Sequence, residues 1–115
     1  MRWIILFVPT LALLLASIGS MAGCERDRST PALYKRNCGR CHGAQGEGPR
    51  KPVKLYPHLS LLASPMVRRG DRAAVRQQIV EGDGPMPSFR RRLSPEEVER
   101  LVDFTLQLPS RKAGT

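Results

Sequence analysis

The chain has 115 residues, enough for one small domain with a thin core. Lys and Arg number 19 against 10 Asp and Glu, a formal charge of +9. A surface this basic suits anionic lipid, an acidic protein or nucleic acid. No nucleic-acid-binding motif is present and aromatic residues make up only 5%, so nucleic acid is set aside.

The chain opens with Met1-Arg2 and then runs uncharged from Trp3 to Ala22, with Ile4–Leu15 dense in aliphatic side chains. A basic start, an apolar stretch and small residues at its end read as an export signal over 1–23. The competing reading is an uncleaved anchor, since the stretch is just long enough to span a bilayer. In either case the remainder lies outside the cytoplasm. Residues 24–30 are polar and charged and read as a tether. Thr30-Pro31 starts a helix, with Thr as N-cap and Pro at the first helical position. Leu33, Tyr34, Cys38 and Cys41 follow at helical spacing. Gly43 to Pro49 reads as a loop, and Pro52, Pro57, Pro65 and Gly70 keep residues 50–70 irregular. Asp71 caps a helix over 72–81, with Val75, Gln78 and Ile79 on one side, and Gly82 ends it. Gly84-Pro85-Met86-Pro87 is a rigid loop. Ser94-Pro95-Glu96-Glu97 is a capping box that opens a last helix. Val98, Leu101, Val102 and Leu106 point inward there, and Pro109 stops the helix near Leu108. The expected domain is all-α, with three main helices over 31–109 and a tail over 110–115; no strand-period segment or internal repeat occurs.

Cys38-Gly39-Arg40-Cys41-His42 is the attachment pattern of c-type haem. Two thiols three residues apart on a helical turn reach the two vinyl edges of one porphyrin, and the next residue carries an imidazole under the ring. A redox-active dithiol is the first alternative, but the βαβ context for it is missing. Zinc on Cys38, Cys41, His42 and His58 is the second, with poor spacing for a tetrahedral site. A six-coordinate iron needs another donor, and His58, Met66 and Met86 are available. Met86 between two prolines is the most rigidly presented. Met66 is its chief rival, and the commoner fate of either methionine is to fill a core gap.

Together with the Gly46/Gly48 loop, Pro57-His58-Leu59, the segment from Gly82 to Phe89 and the capped last helix, these motifs resemble a class I cytochrome c over residues 31–108. The resemblance implies a small cytochrome c fold around one covalent haem c. Cys38 and Cys41 become its attachment points, and His42 and Met86 its axial ligands. It also implies that the Pro57 carbonyl accepts the His42 ring N–H, and that the first and last helices cross with Tyr34 and Phe104 in contact. The implied function is one-electron transfer and not enzymatic catalysis, as a shuttle or as the haem subunit of a respiratory-type system. The alternative is a catalytic or ligand-binding haem with an open sixth position. Ser20-Met21-Ala22-Gly23-Cys24 resembles a bacterial lipoprotein signal, which implies lipid on Cys24 and a membrane-tethered domain on the periplasmic side. Ordinary cleavage after Ala22 competes with it. Redox proteins are the expected partners, and Arg50-Lys51, Arg68-Arg69 and above all Arg90-Arg91-Arg92 are candidate docking cations for an acidic one.

Overall fold

A computed structural model describes residues 26–50 and 59–114. The leader, Cys24, Pro57 and His58 lie outside them. Five helices follow one another: α1 (Thr30–Asn37), α2 (Gly39–His42), α3 (Pro65–Arg68), α4 (Arg72–Glu81) and α5 (Pro95–Ala113). Among the described residues there is no strand. The all-α expectation holds.

α5 organises the rest. Ser94 Oγ accepts from the Glu97 N–H at 3.3 Å and Glu97 Oε2 accepts from the Ser94 N–H at 2.9 Å, so the capping box forms as read. Leu101 and Val102 are fully buried, with Val98 and Leu108 beside them on the same stripe. α1 crosses this helix through Leu33 and Tyr34, and the Tyr34 and Phe104 rings sit 4.9 Å apart at 40°. α4 packs through Val75 and Ile79. Asp71 Oδ1 caps it by accepting from the Ala74 N–H at 3.0 Å. Outside the core, Arg72 and Arg76 of α4 pair with Glu99 and Asp103 of α5.

Four details differ from the sequence reading. α1 begins at Thr30, so Ser29 and not Thr30 is the N-cap residue, without a side-chain cap bond. The first helix breaks at Cys38 into α1 and α2. Residues 65–68, read as irregular, form the single turn α3, started by Pro65. α5 runs through Pro109 to Ala113, so the expected tail is mostly helix. A proline removes one helical N–H, here the one that would reach the Thr105 carbonyl. The following turn is held by other contacts: Arg111 donates to Gln107 Oε1 at 3.3 Å and lies 4.7 Å from the centre of the Phe104 ring.

Candidate haem site

α1 and α2 carry the Cys-x-x-Cys-His segment to the mouth of a cavity of about 500 Å³. That size is in the range of cofactor sites. Tyr34, Cys38 and His42 form one part of its lining, residues 59–61 and 63–67 a second, and Val75, Gln78 and Ile79 of α4 a third. Asp83, Pro85 and Met86 supply the next part, and Thr105 closes it from α5. The walls are mainly apolar, as a porphyrin requires.

His42 Nδ1 lies 2.7 Å from the Leu59 carbonyl oxygen. A carbonyl only accepts, so this contact sets the tautomer with the proton on Nδ1 and leaves the Nε2 lone pair for a metal. Pro57, the acceptor expected on that nitrogen, lies outside the described residues; among those described, the Leu59 carbonyl takes that place. Gly43 follows with φ 82° and ψ 162°, a conformation close to glycine-only, and turns the chain out of α2. Its carbonyl accepts from Tyr34 Oη at 2.9 Å, which ties the turn to α1 and, through Phe104, to α5.

The two cysteines differ. Cys38 lines the cavity, and burial, with Cys41 next to it, pushes its thiol up to about 11. Disulfide chemistry needs the thiolate, so this environment disfavours the dithiol reading. Cys41 is exposed and outside the cavity lining.

The Met86 loop is a closed turn. The Asp83 and Met86 backbones exchange two hydrogen bonds, of 3.1 and 3.0 Å, around Gly84-Pro85. Gln78 Nε2 donates to Met86 Sδ at 3.7 Å. Met66 lines the same cavity from α3, so the structure brings both candidate methionines to the site. Leu59, Gln78 and Thr105 were not singled out as site residues. A polar side chain in the otherwise apolar stripe Val75-Gln78-Ile79 was a usable signal for Gln78; a backbone carbonyl such as that of Leu59 gives none.

A covalent attachment segment, an apolar cavity and a histidine poised with one free nitrogen define a small c-type cytochrome. The family model described as cytochrome C oxidase, cbb3-type, subunit III matches residues 25–104, and the chain belongs to that family. It is 28% identical over 82 residues to cytochrome c6 of Diacronema lutheri, covering 71% of this chain and 90% of that protein. It is 30% identical over 79 residues to cytochrome c6 of Aphanizomenon flos-aquae, covering 69% and 86%. No solved structure matches it significantly. The protein is therefore a class I c-type cytochrome, its cofactor is covalently bound haem c, and it is an electron-transfer protein.

Proposed function

We propose that Cys38 and Cys41 hold the haem by thioether bonds, that His42 and Met86 are the axial ligands, and that the protein is an exported, membrane-tethered one-electron carrier. The observation that carries this reading is the cavity itself, which gathers Cys38, His42 and Met86 with the Nδ1 side of His42 already engaged. When bound, the haem supplies an iron that alternates between Fe(III) and Fe(II). The residues around it do the rest. The Leu59 carbonyl fixes the His42 ring and raises its basicity. The reciprocal Asp83–Met86 bonds and the Gln78 amide restrict the Met86 thioether. A methionine opposite a histidine would favour the reduced iron, and with both in place no position would be open to oxygen or peroxide. The apolar walls keep water away, so the electron moves with little rearrangement.

Arg68 and Arg69 are exposed on and just after α3, whose Pro65 and Met66 line the cavity. With the exposed Arg91 and Arg92 they are candidates to receive an acidic redox partner, while Arg90 is paired with Glu81. The role is that of a free shuttle or of a haem subunit in a respiratory-type complex. Among the described residues no helix is long and apolar enough to cross a membrane. Attachment therefore falls to the leader or to lipid on Cys24.

The test is ligand opening. The Met86→Ala holoprotein should bind carbon monoxide in its reduced form and show a lower reduction potential, while Met66→Ala should do neither. The reverse pattern would move the sixth ligand to Met66. For the tether, Cys24→Ser should release the exported protein from membranes; retention would favour an uncleaved leader.

A further inference from the structure

The segment before α1 was expected to be loose tether, yet its described end is fastened to the domain. Arg28 Nε and Nη2 donate to the two carboxylate oxygens of Glu97, each at 2.5 Å. This fork-to-fork pairing is the most directional that arginine makes. The Glu97 side chain is only 5% exposed and is also the cap of α5. Arg100 adds a hydrogen bond from Nη2 to the Arg28 carbonyl at 3.3 Å. Asp27 Oδ1 accepts from the Ser29 N–H at 2.8 Å. The chain thus enters the fold at one defined point, beside the first residues of both α1 and α5.

Only residues 25–27 separate Cys24 from Arg28. Fully extended, that link spans at most about 14 Å between Cα atoms. Any anchor at or before Cys24 holds this end of the domain close to its membrane. The same end is rich in exposed cations. Arg26 precedes the clamp, Arg100 braces it, and Arg91 and Arg92 lie just before Ser94, whose N–H shares Glu97 Oε2 with Arg28. Among the described residues their exposed acidic neighbours include Asp27 and Glu96, and Glu25 adjoins Arg26 in the sequence. Glu97 is neutralised by Arg28. Each arginine near an anionic surface adds attraction.

We infer that the end of the domain where α1 and α5 begin is a bilayer-facing surface, seated on anionic phospholipid headgroups and fixed in orientation by the Arg28–Glu97 clamp. α1 leads away from that surface and delivers Cys38 at its far end, about 12 Å along its eight-residue axis. The haem site is thereby held off the membrane at a set angle. This rests on the membrane attachment proposed above.

Polarised absorption of the haem in oriented bilayers tests it, using the exported holoprotein with its own N-terminus and a mixture of phosphatidylcholine and phosphatidylglycerol. The wild type should be bound and strongly dichroic. Arg28→Ala should stay bound and coloured but lose most of the dichroism. Glu97→Gln, which keeps the cap geometry, should do the same, and thermal melting shows that both variants are folded. Reversing charge with Arg91→Glu and Arg92→Glu together should lower the dichroism severalfold. Bound wild type without dichroism, or undiminished dichroism in both clamp variants, overturns the inference while leaving attachment intact. Undiminished dichroism on pure phosphatidylcholine overturns the headgroup contact. If the exported wild type fails to sediment with membranes at all, the attachment itself is wrong and the inference falls with it.

Discussion

Gly82 shows how much one missing side chain decides. It ends α4 at φ 74° and ψ 177°, in a region other residues avoid. A Cβ there would stand 2.4 Å from the Met86 carbonyl oxygen and 2.8 Å from the Ser88 nitrogen. Those atoms are backbone and cannot swing aside. Gly82→Ala should therefore cost about 1–3 kcal/mol from the backbone conformation alone and push the Met86 loop outward. The expected readout is a lower melting temperature together with loss of the far-red sulfur-to-iron absorption of the ferric protein. A variant with that band intact would mean the loop absorbs the clash without moving the sulfur. Gly82 was read only as the end of a helix. Its closeness to Met86 was not legible, because it depends on where the chain returns four residues later.

The helices differ in how they are held, and the difference is testable with acid. α4 and α5 pack through core side chains, and outside the core Glu99 gathers both Arg76 and Arg72 between them. Pairing with Arg76 holds the Glu99 carboxyl down to about 2, against an ordinary 4.5. A carboxyl depressed in the folded state contributes stability above its unfolded value and loses it as pH falls through the folded one. Glu99→Gln should therefore flatten the decline in melting temperature between pH 4.5 and about 2, and leave less of a difference at high salt. Glu99 is 41% exposed, so the effect at neutral pH should be small. Helix boundaries with local causes were readable in advance. Asp71, Gly82 and the Ser94–Glu97 box act within a few residues, and the structure uses each as its chemistry suggests. Elsewhere the local rule misled. Pro109 does not end α5, since a proline removes one helical N–H without forbidding the next turn, which runs to Ala113. α3 is four residues long, too short to show a period at all.

At the scale of the whole molecule, the positive charge has separate uses. Arg72, Arg76 and Arg90 are spent on ion pairs within the domain, while Arg68 and Arg69 remain exposed beside the haem cavity. Electron transfer to an acidic partner should slow by about tenfold as salt rises from low to molar concentration, since steering is screened beyond a few ångströms there. Arg68→Glu with Arg69→Glu should lower the low-salt rate and weaken its salt dependence. A stopped-flow rate that ignores ionic strength would exclude electrostatic docking. The overall charge announced this from composition; which arginines are available did not, because ion pairing is a property of the folded surface.

The cavity is completed from both ends of the domain. Tyr34 joins the attachment turn to Phe104, and Thr105 forms part of the wall. The attachment turn and the part of the wall that Thr105 supplies therefore come from segments about sixty residues apart in the chain. A chain without the last helix would keep its cysteines but lack that part of the wall. Covalent attachment and helix packing thus guard the same porphyrin by independent means.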